Sequence, residues 1–254
     1  MPAELQAPAA WRTVDFISDL HLEAHAPATV AAWQHYLHTT TADAVFMLGD
    51  VFEVWVGDDA AQPGSFEAQC GHILAQAAQQ RALFFMPGNR DFLLGSAFLS
   101  ASQVQWLADP TVLVFAGHRW LLSHGDALCL GDTDYQHFRT QVRSPEWQRR
   151  FLARPLAERL TYARQLREHS EARKRASQPG DYADADAALS LEWLHASRAS
   201  VLIHGHTHCP ADHALAADLR RCVLSDWDAS AQPPRLQVLR GTAQGLQRIN
   251  LEST

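Results

Sequence analysis

The stretch VLIHGHTH (residues 201–208) decides how the rest of the chain is interpreted, because a short apolar run passes directly into glycine and histidine. Apolar runs that end at Gly or Pro are typical of buried strands. Four further runs share this form, namely VDFISDLH (14–21), AVFMLGD (44–50), ALFFMPGNRD (82–91) and WLLSHGD (120–126). Polar residues follow each run, and ligands usually bind at that edge of a sheet of buried strands. The pattern predicts five strands whose carboxyl ends share one site.

The segments between these runs predict the fold class. Alanine-rich stretches at 28–40 and 66–80 have helical character and predict β-α-β units between the first three strands. TVLVFAGHRWLLS (111–123) predicts a hairpin that turns at Gly117, and RRCVLSDWD, RLQVLRG and LQRINL predict later strands without intervening helices. We expect a second, more antiparallel sheet there. The predicted class is α/β, with two mixed β-sheets packed face to face and flanked by helices.

Residues 132–177 predict a helical insertion within a single domain of residues 1–254. Apolar residues recur there at three- and four-residue spacing: Phe138, Val142, Phe151, Leu152, Leu156, Leu160 and Leu166. From Arg139 to Arg175 the chain has eleven basic and four acidic residues, a net charge of +7, whereas the remainder carries −14. Such a local charge indicates a partner rather than a fold, although a solvated helical face with Arg chosen for its helix propensity is the plainer alternative.

Composition excludes several classes of protein. The four cysteines are scattered without a C-x-x-C pair, which argues against a disulfide framework or a zinc ribbon and favours a reducing compartment. The N-terminus lacks the basic start and apolar core of a signal peptide, and no apolar run approaches the ~20 residues that span a bilayer. The net charge of −7 argues against a general nucleic-acid binder. We expect a soluble cytoplasmic protein, and a monomer.

The predicted strand ends supply a set of metal ligands: Asp19, His21, Asp50, Asn89, His124, His206 and His208. Seven oxygen and nitrogen donors suit two ions better than one, and the absence of cysteine among them favours Mn²⁺, Fe or Zn²⁺. Asp19 and His21 are two residues apart, as are His206 and His208, so on an extended backbone each pair would face one side. Two ions about 4 Å apart can clamp a phosphoryl group and activate a water molecule.

Each motif alone also has a structural explanation. A single histidine in a strand is more often a packed core residue, which is our interpretation of His204, and G-D or G-N-R-D occurs in ordinary turns. Five strand ends that each carry a suitable donor favour the metal site. Their order, D-x-H, G-D, G-N-x-D, H-G-D and G-H-T-H over residues 14–226, resembles the calcineurin-like metallophosphoesterase superfamily.

The resemblance implies paired mixed sheets with two metals at the strand ends. It implies one ion on Asp19, His21 and His208 and a second on Asn89, His124 and His206. Asp50 would bridge the two ions.

The motif Gly88-Asn89-Arg90-Asp91 departs from the superfamily's usual G-N-H, whose histidine acts as a general acid for an alcohol leaving group. Arginine stays charged at any accessible pH, but it can hold phosphoryl oxygens and stabilise charge in the transition state. A phosphate monoester leaves without prompt protonation, because its second pKa is about 6. The motif therefore predicts hydrolysis of a pyrophosphate bond, with Arg90, Asp50 and Asn89 as the catalytic residues.

Together with GDVFEVWVGDD (49–59) and HGDALCLGDTDYQHFR (124–139), this motif resembles one branch of the superfamily, the UDP-2,3-diacylglucosamine pyrophosphatases of lipid A biosynthesis. That resemblance implies release of UMP and 2,3-diacylglucosamine 1-phosphate, two Mn²⁺ per chain with Fe or Zn as substitutes, and a cap over the site formed by residues 132–177. It implies a set of substrate contacts: Asn89, Arg90, Asp132, Ser170 and His206, with Arg167 and Lys174 as further candidates.

The cationic cap suits a substrate with a diphosphate and two acyl chains. It also predicts peripheral attachment to the anionic cytoplasmic face of the inner membrane, at about 1 kcal/mol per basic residue near the surface. No nucleic-acid partner is expected. Two alternatives stay open: another dinuclear-metal phosphodiesterase or nuclease of the superfamily, and a non-catalytic scaffold with the same fold.

Overall fold

The computed structural model describes residues 2–176 and 184–252, without the side chains of residues 169–176. Its first sheet contains six strands, in the spatial order β12 (Gly245–Asn250), β11 (Gln237–Thr242), β2 (Val14–Ile17), β3 (Ala44–Leu48), β4 (Ala82–Met86) and β5 (Gln105–Trp106). The second sheet has the order β1 (Ala3–Gln6), β6 (Thr111–Phe115), β7 (His118–Leu122), β8 (Val201–His204), β10 (Leu219–Val223) and β9 (Ala211–Ala216). Both sheets mix parallel and antiparallel pairs, so the predicted fold class is confirmed.

The expectation that the late strands form a more antiparallel second sheet is wrong. Strands β11 and β12 join the first sheet, where β11 runs antiparallel to β2. Among the described strands, each sheet has three parallel and two antiparallel pairs. A long-range ion pair accompanies this arrangement: Arg240 on β11 donates two 2.8 Å hydrogen bonds to the buried carboxylate of Asp15 on β2.

Local sequence signals account for the helices and the hairpin. The helices are α1 (Pro27–Thr39), α2 (Phe66–Ala78), α3 (Ser96–Ser102), α4 (Thr133–Val142), α5 (Pro145–Leu152), α6 (Leu156–Ala176) and α7 (Ala187–Ser197). The predicted helices at 28–40 and 66–80 thus correspond to α1 and α2. Ala116 and Gly117 both adopt positive φ, 49° and 83°, between β6 and β7, as a tight hairpin turn requires.

Alternating residues on the strands create separate apolar layers. In the first sheet, the rings of Phe16, Phe46 and Phe84 stack on the face towards the second sheet, with 4.7 Å between the centroids of Phe46 and Phe84. Trp120 of β7 meets Phe16 edge-on at 5.8 Å. The opposite face of the first sheet packs under α1 and α2, and that of the second sheet packs under α7. This packing holds the carboxyl ends of β2, β3 and β4 beside those of β7 and β8.

Residues 133–176 include the helices α4, α5 and α6, whereas the insertion of residues 132–177 within a single domain stays a prediction. The seven apolar residues of the predicted insertion differ in burial, and Phe138 and Leu156 are half-buried. Val142 and Phe151 are buried, whereas Leu152, Leu160 and Leu166 are 41%, 37% and 37% exposed. In the described residues, no helix is both long and apolar enough to cross a membrane.

Polar contacts anchor α6 where apolar burial is incomplete. The Arg159 side chain is only 2% exposed and donates to the Val56 carbonyl and to both carboxylate oxygens of Asp59. Helix α6 is therefore attached to the 56–59 loop by a buried arginine.

We predict that Asp15→Ala lowers the free energy of unfolding by about 3 kcal/mol, because it leaves Arg240 without its carboxylate in a largely buried site. It also removes an acceptor from the Tyr36 hydroxyl at 2.9 Å. Urea unfolding measures the change. The control Asp218→Ala lies in an exposed turn and should shift the value by less than about 0.5 kcal/mol. Equal effects of the two variants would contradict the role of the ion pair.

Candidate metal centre

The predicted ligands lie in the loops directly after the strands, and their backbone is not extended. Strand β2 ends at Ile17 and β8 at His204, before the ligands begin. A positive φ of 46° to 66° is shared by five predicted ligands: Asp19, His21, Asp50, His206 and His208. The expectation of two residues on one face of an extended strand is therefore wrong for both pairs. Left-handed turns bring the side chains together instead, and such costly conformations collect at functional sites.

The first donor group consists of Asp19, His21 and His208, whose ligand atoms all lie within 4.8 Å of one another. His208 Nε2 lies 3.3 Å from His21 Nε2 and 3.3 Å from Asp19 Oδ1. Donor atoms about 2.1 Å from a shared ion lie about 3 Å apart, so this spacing fits one cation.

The second donor group consists of Asn89, His124 and His206. Asn89 Oδ1 lies 2.9 Å from His124 Nε2 and 2.8 Å from His206 Nδ1. Asp50 Oδ1 lies 3.6 Å from His124 Nε2, and Asp19, Asp50 and His124 together meet the same 4.8 Å limit. Asp19 therefore lies close enough to share an ion with His21 and His208, and also close enough to share one with Asp50 and His124. The bridging role of Asp50 stays a prediction.

The electrostatics of the site favour added positive charge. Burial alone would raise the pKa of Asp19, but a hydrogen bond and the charge of His208, with the charge of His124, hold it well below its ordinary value. Burial would lower the pKa of His124, yet the Asp50 and Asp19 carboxylates raise it to about 9. Buried carboxylates that draw a proton onto a buried imidazole fit a site for divalent cations.

Histidine orientation is set by neighbouring carbonyl groups. The Nδ1 of His124 lies 2.9 Å from the Leu48 carbonyl oxygen, which leaves Nε2 towards Asn89. The buried ring of His204 instead points its Nδ1 to the Gly205 carbonyl oxygen at 2.8 Å, and burial lowers its pKa to about 4. His204 belongs to neither donor group, and its structural role stays a prediction.

Two glycines allow the carboxylates to approach the backbone. A β-carbon at Gly205 would overlap Asp19 Oδ2 and the Ser18 hydroxyl, and one at Gly88 would overlap Asp50 Oδ1. Backbone amides also donate hydrogen bonds to these carboxylates. His206 N–H donates to Asp19 Oδ2 at 2.9 Å, and Arg90 N–H donates to Asp50 Oδ1 at 2.8 Å.

Sequence reasoning assigned no role to Asp91, although it ends the G-N-R-D motif. Its buried carboxylate accepts hydrogen bonds from the backbone of both ligand loops, at 2.8 Å from Gly88 and 2.7 Å from Val51. Burial and the neighbouring Asp50 charge raise its pKa to about 7. Asp91 fixes the loop that carries Asp50 against the loop that carries Asn89.

Asp126, the last residue of H-G-D, was also missed. Its buried Oδ2 accepts from the Tyr135 hydroxyl at 2.6 Å and from Arg139 Nε at 2.8 Å, which ties α4 to the loop that carries His124. Burial alone would raise the pKa of Asp126, but the charges of His124 and the nearby arginines hold it well below its ordinary value. The Tyr135 ring stacks beside His206, with centroids 5.9 Å apart.

The predicted substrate contacts outside the second donor group lie in three places. Asp132 caps α4 by accepting from the Tyr135 amide at 3.1 Å. Arg90 Nη1 and Arg167 Nε each lie 3.3 Å from Glu53 Oε1, beside the first donor group. Ser170 and Lys174 belong to the part of α6 whose side chains lie outside the described residues.

Comparison with known proteins identifies the family of the chain. The family model for calcineurin-like phosphoesterases matches residues 12–210. The UDP-2,3-diacylglucosamine hydrolase of Xanthomonas campestris pv. campestris is 40% identical over 92% of this chain and 97% of that protein. The hydrolase of the same name from Chromobacterium violaceum is 44% identical over 84% of this chain and 90% of that protein.

Among solved structures, vacuolar protein sorting 29 from Cryptosporidium parvum has a TM-score of 0.47 at 12% identity, over 95% of this chain and 92% of that chain. By the extent of the sequence matches, the chain belongs to the calcineurin-like phosphoesterase family.

Proposed function

We propose that this chain hydrolyses the pyrophosphate bond of UDP-2,3-diacylglucosamine to UMP and 2,3-diacylglucosamine 1-phosphate, in lipid A biosynthesis. The main support is the position of Arg90. Its backbone amide donates to Asp50, and its guanidinium lies beside the first donor group. An arginine at this point suits a phosphate leaving group, because it stabilises negative charge without donating a proton. The names of the relatives at 40% and 44% identity support the same substrate.

The residues of the two donor groups suit a dinuclear metal site, and we propose Mn²⁺ as the ion, with Fe or Zn as substitutes. One ion would be held by Asp19, His21 and His208, and the other by Asn89, His124 and His206, with Asp50 between them. Such ions supply charge neutralisation at the phosphoryl group and activate water. The donor set contains oxygen and nitrogen without sulfur, as hard and borderline cations prefer.

The chain's own residues bind and orient the diphosphate. Arg90 offers a planar fork of N–H donors to phosphoryl oxygens. Asn89 and His206 lie next to each other in the second donor group, with Asn89 Oδ1 2.8 Å from His206 Nδ1. We propose Asp132, Arg167, Ser170 and Lys174 as further substrate contacts from the insertion. Two of these lie among the described side chains: Asp132 caps α4, and Arg167 on α6 contacts Glu53 in the loop after β3.

We further propose that residues 132–177 cap the site within a single domain and rest against the anionic cytoplasmic face of the inner membrane. Exposed Leu152, Leu160 and Leu166 offer apolar surface for acyl chains or lipid, among arginines such as the exposed Arg150. Basic residues near an anionic leaflet contribute about 1 kcal/mol each. We propose a monomer, which sedimentation equilibrium tests.

The proposed reaction is tested by incubating the purified chain with UDP-2,3-diacylglucosamine and Mn²⁺ and following UMP by chromatography. We expect UMP and the sugar 1-phosphate in equal amounts, and no activity after chelation. Substrate presented in vesicles with anionic lipid should react faster than substrate in neutral vesicles. Cleavage of a simple phosphodiester at a higher kcat/KM than the UDP-sugar would identify a different phosphoesterase.

Arg90→Ala should lower kcat on the UDP-sugar by about 10²–10³-fold, the scale found when one preorganised donor is removed. Mn²⁺ binding should persist, because the Arg90 side chain belongs to neither donor group.

Arg90→His supplies a general acid in its place. We expect it to leave the UDP-sugar reaction slow and to raise activity on an alkyl phosphodiester, where the leaving alkoxide needs a proton. An Arg90→His enzyme as fast as wild type on the UDP-sugar would show that Arg90 does not select the leaving group.

A further inference from the structure

Glu53 lies in the loop after β3, three residues beyond Asp50, and the backbone sets it beside His21. The two ligand loops pair along their length: His21 N–H donates to the Asp50 carbonyl at 3.0 Å, and Leu22 N–H donates to the Val51 carbonyl at 2.9 Å. Glu53 N–H returns a hydrogen bond to the Leu22 carbonyl at 3.1 Å. This pairing fixes the start of the Glu53 side chain relative to the His21 ring.

One oxygen of the Glu53 carboxylate lies next to a metal-binding histidine. Glu53 Oε2 is 2.9 Å from His21 Nδ1, while His21 Nε2 faces His208 Nε2 at 3.3 Å. The ring thus has one nitrogen towards the donor group and the other towards a carboxylate. A carboxylate in that position selects the tautomer and the orientation of a histidine ligand, and its loss typically costs 10–100-fold in metal affinity.

The other oxygen of the same carboxylate meets two arginines. Glu53 Oε1 lies 3.3 Å from Arg90 Nη1 and 3.3 Å from Arg167 Nε. Arg167 also reaches Glu23 Oε2, at 3.1 Å. The two acids differ in burial: the Glu53 side chain is 10% exposed and the Glu23 side chain is 32% exposed. The contacts of the more buried Glu53 are better shielded from water, so they fix the position of the Arg167 side chain more strongly than the contact with Glu23 does.

We infer that Glu53 is a positioning residue that orients His21 for metal binding through one carboxylate oxygen and holds Arg90 and Arg167 through the other. A single side chain thereby links the first metal site, the arginine for the diphosphate and helix α6 of the insertion. The part of this inference that concerns Arg90 rests on the proposed function, whereas the part that concerns His21 depends only on metal binding.

The test measures Mn²⁺ affinity of the full chain by equilibrium dialysis, without substrate. Glu53→Gln should weaken the first Mn²⁺ site by about 10-fold or more. Glu53→Asp keeps the charge but is one methylene shorter, and it should weaken the same site. The matched control Glu23→Gln removes an equal charge from a second acid that contacts Arg167 and should leave affinity within about twofold of wild type.

Thermal melting of the variants in chelator separates positioning from folding. We expect Glu53→Gln and Glu23→Gln to melt within a few degrees of each other, and Glu53→Asp carries the comparison if Glu53→Gln fails to fold. The inference is overturned if Glu53→Gln and Glu53→Asp bind Mn²⁺ as wild type does, or if Glu23→Gln weakens binding equally.

Turnover provides the second readout. At saturating Mn²⁺, kcat of Glu53→Gln on the UDP-sugar should fall between the values for wild type and Arg90→Ala. A wild-type kcat would exclude the role of Glu53 towards Arg90. Because the dialysis needs no substrate, a chain that released no UMP would still give a clear answer about His21.

Discussion

The burial of two carboxylates, Asp19 and Asp50, is the constraint on which the rest of the site depends. Both lie at the ends of central strands and are almost completely removed from solvent. An isolated carboxylate in such a place would cost several kcal/mol, so it must be compensated or neutralised. Part of that compensation comes from the backbone amides of His206 and Arg90 and from neighbouring imidazoles. Glycines at 88 and 205 leave room for the carboxylates to approach the backbone. Divalent cations held by the same donors would provide the remainder.

The cost of this arrangement is spread over the surrounding loops. Left-handed backbone at five predicted ligands is tolerated because the loops are fixed from several sides. Asp91 ties the loops after β3 and β4 together, and Asp126 ties the loop after β7 to α4. Glu53 connects the loop after β3 to α6 through its contact with Arg167. The insertion is thus attached to the site by charged groups, which lets its leucines remain exposed for a lipid substrate under the proposed function.

Local patterns in the sequence predicted nine of the twelve described strands, the hairpin at Gly117 and the helices α1 and α2, because these depend on residues close together in the chain. Strands β1, β5 and β9 were not predicted. The placement of β11 in the first sheet could not be predicted this way. It depends on pairing between residues about 225 positions apart, as in the bond from Arg240 to Asp15. The positive φ of the paired Asp and His ligands could not be predicted for a similar reason. Asp and His tolerate this conformation better than most residues, but tertiary contacts decide where it occurs.

The candidate site was predicted as a set of residue types, and its supporting residues were not. Glu53, Asp91 and Asp126 are acids within the quoted motifs, but nothing in their spacing distinguishes a hydrogen-bond acceptor for loops from a surface acid. Their roles become evident only from burial and partners. For the leucines of the insertion, the pattern predicts more burial than the structure shows. A helical apolar pattern predicts burial, but it does not tell whether protein or lipid covers the apolar face.

The central proposal is that the loops after the strands hold two metal ions. Crystals of the Mn²⁺-loaded chain, measured at the manganese absorption edge, test it most directly. We expect two anomalous peaks about 4 Å apart, one beside Asp19, His21 and His208 and one beside Asn89, His124 and His206. A single peak, or two peaks that leave Asn89, His124 and His206 without an ion, would contradict it.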